Sequence, residues 1–187
     1  LLSPILPSDA GILKYQDLSF KINVPTKKYG LFTFWGLGAK DGQKMEAADS
    51  SEWESHFDRD NSETSMYMFA TALSHKLLLP ESAYLNTTIS VTGSGLSFTE
   101  NRLDYNLNPQ LQSNAENNTA RFTMKSEFTK RFNDNFSNKT GLSYSYLNFD
   151  IDVDKSLHEG DPVTKIAKNS GNTGFIQFYN QSKIISL

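Results

Sequence analysis

The densest run of chemically capable side chains lies between residues 46 and 63. Glu46, Asp49, Glu52, Glu54, Asp58, Asp60 and Glu63 all carry carboxylates. Hard oxygen ligands at such spacing can hold Ca²⁺, but the glycine and the terminal bidentate glutamate of an EF-hand loop are not at their offsets. A solvated acidic loop is the preferred reading, and no metal site is expected. The same segment carries Trp53, His56 and Phe57 as candidate ligand contacts. Rings in a long loop can stack on a ligand such as a sugar face, or pack the loop onto itself, and the second is preferred.

Catalytic chemistry finds little support. His56, His75 and His158 are far apart and share no motif, and no nucleophile elbow accompanies them. Gly93-Ser94-Gly95 lacks the lysine of a phosphate loop and reads as a bend or bulge in a strand. There is no cysteine, hence no disulfide framework and no thiolate metal site. The expectation is a protein that is not an enzyme, with no catalytic residue and no cofactor. With 18 Lys and Arg against 21 Asp and Glu, a net charge of −3 offers no basic surface, so nucleic acid is not expected as a partner. No window approaches the roughly 20 apolar residues of a membrane-spanning helix.

The elements around these residues read as strands. In 15–24, Leu18, Phe20, Ile22 and Val24 alternate with Asp17, Ser19, Lys21 and Asn23, a period of two with one apolar and one polar face. Further strands are expected at about 30–39, 63–76, 84–98, 120–132 and 136–149, with a last one starting near 173. The connections alternate in length. Short turns fall near 25–29, 77–83 and 133–135, and polar stretches at 40–62, 99–119 and 150–172 read as long loops. A soluble sandwich has no reason for that alternation. A membrane barrel does, with short turns on one side and long loops on the other.

The fold expected is therefore all-β, an antiparallel up-and-down transmembrane β-barrel, present in part as about seven long strands. Lipid would meet Leu18, Phe20, Ile22, Leu85, Ile89 and Val91. The lumen would meet Asp17, Lys21, Asn23, Asn86, Arg121, Lys125 and Glu127. Tyr29, Trp35, Tyr67, Tyr84 and Tyr146 are expected as interfacial aromatics, with Phe132 and Phe136 also flanking a short turn.

Short runs then resemble a known family. Tyr15 to Lys28, Trp35-Gly-Leu-Gly38, Ser51-Glu-Trp-Glu-Ser55, Phe57-Asp-Arg-Asp60 and Ser65 to Thr71 resemble the barrel of TonB-dependent receptors, closest to the Bacteroidota outer-membrane group. The resemblance is densest in 15–76 and thins into generic barrel pattern afterwards. It implies a 22-stranded barrel around a plug in the bacterial outer membrane, importing a nutrient such as a glycan, peptide or metal chelate without catalysis. Implied partners are outer-membrane lipid, the TonB complex through a plug domain, and a surface lipoprotein in some members.

The chain lacks a TonB box, a plug and a terminal aromatic strand. Both ends read as cuts, so residues 1–187 are expected to be part of one barrel domain of a longer protein. Two other readings remain open. One is a smaller outer-membrane barrel, a porin or a membrane-embedded enzyme. The other is a soluble all-β carbohydrate-binding module, which would need two apolar faces meeting in a shared core.

Overall fold

The computed structural model describes residues 12–185. Seven strands form one antiparallel sheet in chain order: β1 (Ile12–Thr26), β2 (Gly30–Met45), β3 (Asp60–Leu79), β4 (Ala83–Leu103), β5 (Pro109–Arg131), β6 (Phe136–Lys155) and β7 (Thr164–Ile184). Each strand pairs with its neighbours in sequence, and the sheet is not closed, since β1 and β7 are not paired with each other. Turns of three or four residues, 27–29, 80–82 and 132–135, join the strands at one end. At the other end the connections are 46–59, with two short 3-10 turns (Ser50–Glu52 and His56–Arg59), then 104–108 and 156–163.

The register carries the alternation of each strand across the whole sheet. Ile22, Phe34, Leu73, Ile89, Met124, Tyr144 and Ile176 form one continuous row. The rows on either side add Phe20, Val91, Phe122 and Tyr146, then Val24, Phe32, Leu142 and Phe178. Leu18, Phe20, Ile22, Leu85, Ile89 and Val91 all lie on this face, here named the Leu18 face. The opposite, Asp17 face carries Lys21, Asn23, Asn86, Arg121, Lys125 and Glu127 over the same stretch.

No second layer covers the Leu18 face among the described residues. Leu18 is 68% exposed, Ile176 72% and Phe178 71%, and among the described residues the only buried hydrophobic ones are Ala72 and Ala83. An apolar surface this continuous requires an apolar surrounding. Its height can be worked out on β3, where the band runs ten residue steps from Tyr67 to Leu77. At ~3.4 Å per residue and a strand tilt of ~40°, that is roughly 26 Å, against about 25 Å for the apolar band of an outer-membrane barrel. The upper edge of the band also descends across the sheet, as tilted strands require. The row of Leu18 holds Asn148 and Asn172, whereas the apolar run begins at Tyr146 on β6 and Ile176 on β7.

The strands do not stop where the band stops. Of the polar stretches expected as loops, 99–119 and 150–172 are largely strand and 40–62 is strand at both ends: β2 runs to Met45, β3 begins at Asp60, β4 and β5 reach Leu103 and Pro109, and β6 and β7 reach Lys155 and Thr164. Hydrogen-bonded ladders continue there because the alternation continues in opposite phase. On β6, Leu142, Tyr144 and Tyr146 share the Leu18 face, followed by Asn148, Asp150, Asp152 and Asp154. On the Asp17 face, Ser143 and Ser145 give way to Leu147, Phe149, Ile151 and Val153. On β3, Glu63 and Ser65 take the Leu18 face while Met66 and Met68 take the other. On β4, Leu96 and Phe98 lie on the Asp17 face above Ser90, Thr92 and Ser94. Register shifts at Glu100/Asn101 and Val153/Asp154 fall within these extensions, where a bulge re-aims the ladder.

Two of the expected interfacial aromatics are placed differently. Trp35 pairs with Lys21 and Ala72 in mid-strand on the Asp17 face, and Tyr84 pairs with Leu78 and Thr129 on that same face. Period two decides this, since Trp35 follows Phe34 and Tyr84 precedes Leu85. Tyr67 and Tyr146 lie at the upper edge of the apolar band, and Tyr29 lies in the turn 27–29. Phe132 and Phe136 stack at 5.1 Å across the turn 132–135.

Candidate functional site

The Asp17 face divides into two zones. The lower zone, toward the short turns, is hydroxyl-rich and basic. Thr33 donates to Asn23 at 2.8 Å, Ser74 and Thr88 meet at 2.9 Å, and Thr123 and Ser145 meet at 2.9 Å. Glu127 is the focus of the charged part. It accepts from Tyr179 Oη at 2.5 Å, pairs with Lys125 at 3.1 Å and has Lys139 at 3.8 Å. Lys76 lies over the Tyr84 ring at 4.3 Å from its centroid. A lone carboxylate among lysines suits a wall wetted by water or facing a polar protein surface.

The upper zone is apolar. A concavity of about 540 Å³ opens on it, lined by Tyr15, Ala39, Asp41, Met66, Met68, Ser94, Leu96, Asn117 and Thr119, with Tyr67 and Gly95 contributing from the sheet itself. Its side chains come from five adjacent strands, so it exists only because the register aligns their reversed phase. The hydroxyl of Tyr15 donates to Asp17 at 3.1 Å, and Asp41 stands opposite Tyr15 in the ladder.

Above the sheet, the connections pack on one another. Arg59, only 5% exposed, binds the carboxylate of Glu159, a contact that ties the connection 46–59 to 156–163. The guanidinium also reaches the Leu103 carbonyl at 3.4 Å and lies 4.9 Å from the Tyr105 ring and 6.0 Å from the Trp53 ring. Beside it, Arg102 makes a two-pronged pair with Asp60 at 2.7 and 2.9 Å. The hydrogen bond from Arg59 holds the Glu159 carboxyl below the usual carboxylate range.

The three candidate ligand contacts separate. Trp53 is engaged within the loop, donating through Nε1 to the Ala48 carbonyl at 3.0 Å and meeting Tyr105 edge-on at 6.5 Å. His56 rests on Phe57 at 4.0 Å, and Phe57 is 72% exposed. Several of the acids in this loop have local partners. Asp49 accepts from the Ser51 backbone at 3.0 Å. Asp58 accepts from the Ser55 and Glu54 backbones at 2.6 and 2.9 Å, which lowers its pKa. Among the described residues no group of three or more His, Cys, Asp or Glu side chains converges as a metal site.

Comparison with solved structures places this geometry. The sheet is similar to part of the ferric yersiniabactin uptake receptor FyuA from Yersinia pestis, with a TM-score of 0.59 and 12% identity over 90% of this chain and 25% of that one. The fold is an unclosed all-β, up-and-down sheet similar to part of an outer-membrane barrel. At this identity the likeness concerns architecture alone, and the chain spans about a quarter of the length of that receptor. No family model matches the chain, and no curated protein matches it.

The sequence reading missed the upper pocket. The signal lay in the run Leu147-Asn-Phe-Asp-Ile-Asp-Val-Asp154, a strict alternation in a stretch read as loop from Asp150 onward. The Arg59–Glu159 contact had no such signal, since its partners lie 100 residues apart.

Proposed function

We propose that this chain is a section of the wall of a TonB-dependent receptor barrel in the bacterial outer membrane, importing a nutrient without catalysing a reaction on it. The observation that carries the reading is the exposed apolar band on the Leu18 face, about as tall as a bilayer core, on an unclosed up-and-down sheet. The strands support a receptor over a small porin. Those from β3 to β7 have 20 to 23 residues, about twice the 9–11 a tilted strand needs to cross a bilayer. The extra length raises a walled vestibule above the membrane.

On this reading the Leu18 face meets lipid and the Asp17 face looks inward. The lower, hydroxyl-rich zone packs against a plug that couples to TonB. The upper zone and the connections above it meet cargo and any surface lipoprotein. Glycans, peptides and metal chelates are the cargo classes considered for such a barrel.

The test is to express the full-length protein in its own host and fractionate the envelope. Recovery with the outer membrane, a heat-modifiable band in detergent and uptake abolished by loss of TonB support the reading. A protein that is soluble without detergent, or uptake unaffected by TonB, overturns it.

A further inference from the structure

We infer that the concavity on the upper Asp17 face binds a small molecule with an aromatic or apolar body and a cationic head. This rests on the barrel-wall reading, which turns that face inward, and names the class of cargo it selects.

The size is that of a small-molecule site, about 540 Å³ where such pockets run roughly 300–1,000 Å³. Met66, Met68 and Leu96 form the apolar floor. Methionine adapts to irregular shapes and makes favourable contacts with aromatic rings. Tyr15 adds an aromatic wall on β1. The charge is one-sided: Asp41 lines the cavity, Asp17 stands beside it through its bond to Tyr15, and no Lys or Arg is among the lining residues. The lysines of the same strands are elsewhere. Lys14, Lys40 and Lys44 alternate onto the Leu18 face, Lys21 lies four residues below Asp17, and Arg121 lies one inner-face position below Thr119 on the far, β5 side. A cation is therefore drawn to the β1–β2 side of the pocket, while an anion meets two carboxylates. Asn117 and Ser94 supply further hydrogen-bonding groups on the far side.

Another occupant would be a segment of the protein's own plug or connections. The recess favours a small ligand: its floor is apolar and adaptable and its one charged lining group sits at one side, whereas the flat hydroxyl ladder beneath it suits a polar protein surface.

The test uses the full-length protein in lipid nanodiscs, with tryptamine and indole-3-acetate as probes of one ring and opposite charge, read by saturation-transfer NMR. Tryptamine is expected to bind and indole-3-acetate to bind at least tenfold more weakly. Asp41→Asn should lower tryptamine affinity about tenfold, the scale of one charge-assisted hydrogen bond. Met68→Lys should abolish tryptamine binding, and Met68→Leu should retain it. Asp41→Asn leaves the apolar floor intact, so it tests the charge even where Met68→Lys fails to assemble. No tryptamine binding by a receptor that is outer-membrane located and heat-modifiable overturns the inference and leaves the barrel reading standing. Equal binding of both probes, or tryptamine affinity unchanged in Asp41→Asn, also overturns it.

Discussion

Replacing Ile89 with arginine, beside Ser90→Arg as its control, separates the two faces of the sheet most sharply. Ile89 lies mid-band on β4, four residues from Leu85 and four from Gly93, in the row with Leu73 and Met124. Four steps at ~3.4 Å and ~40° of tilt put it roughly 10 Å inside either edge, close to the midplane of a ~25 Å band. Arginine there costs about 2–4 kcal/mol, which lowers the folding equilibrium roughly 30- to 900-fold at RT of about 0.59 kcal/mol. Ser90 is one residue away but on the opposite face, in the row of Lys21, Trp35, Ala72 and Ser145. An arginine there reaches the interior and should cost no more than about 1 kcal/mol, the mean for single substitutions. Thr92, more exposed on the same inner face, is a roomier second control. The assay is reversible unfolding of the full-length protein in phospholipid vesicles against guanidinium, followed by tryptophan fluorescence, with the slope checked for constancy. Equal costs at 89 and 90, or a larger cost at 90, would refute the face assignment and with it the lipid-facing reading of the band.

Three further outcomes follow from local geometry. Gly30 has φ +82° and a Cβ built on it would lie 2.1 Å from the Lys76 carbonyl oxygen, while Gly160 at φ +85° has nothing within 4 Å. Gly160→Ala should then cost only the left-handed strain of about 1–2 kcal/mol, and Gly30→Ala distinctly more in the same unfolding assay; equal costs would discount the backbone clash. A Cβ on Gly95 would meet Tyr67 Cε1 at 2.2 Å and Asn118 Oδ1 at 2.4 Å, so Gly95→Ala should displace the ring that donates to Asn118 at 3.0 Å, at a cost of about 1–3 kcal/mol for overpacking. In the Tyr67→Ala background most of that cost should vanish, and a full cost that persists would place it in the contact with Asn118 rather than the ring. The lowered pKa of Glu159 means that its link to Arg59 is intact above the ordinary glutamate range and is lost as pH falls through the lowered value. Hydrogen exchange in 46–59 and 156–163, corrected for intrinsic rates, should therefore rise as the pH is taken from neutral to well below the ordinary glutamate range, and Glu159→Gln should raise it already at neutral pH; exchange unchanged in both cases argues against the link.

The membrane-sized part of the fold was legible because one physical contrast writes it. Leu18, Phe20, Ile22 and Val24 against Asp17, Ser19, Lys21 and Asn23 fixes both a strand and its faces, and the short turns at 27–29, 80–82 and 132–135 close to where Pro25, Pro80 and Asn133-Asp134-Asn135 signalled them. Trp35 and Tyr84 lie on the Asp17 face because parity, not aromatic character, selects the face. The strand extensions were lost for a different reason. Asp150, Asp152 and Asp154 made the stretch look solvated, yet Ile151 and Val153 between them kept the period. The roles of Trp53 and Arg59 depend on contacts among three separate connections, which no local pattern in the chain encodes.

The phase reversal links the two halves of each strand to a single boundary. A barrel strand within the bilayer has lipid outside and a wet interior, so its apolar residues face outward. Above the bilayer the outside becomes water, and the sheltered side is the interior. A strand that stays paired across that boundary must then move its apolar residues from one parity to the other without changing its backbone, since parity alone selects the face. Tyr146 and Leu147 are the adjacent pair at which β6 does so, and Tyr67 and Met66 do it on β3. Tyrosine suits the last outward position, with its ring in the apolar layer and its hydroxyl in the polar one. Tyr67 meets this demand by donating to Asn118, two strands away in its own row, where β5 has already turned polar. On the barrel-wall reading, the apolar floor of the upper pocket is thus the direct consequence of strands that continue beyond the membrane: the outer surface must turn polar there, and the inner surface becomes the place left for Met66 and Leu96, with Met68 at the boundary.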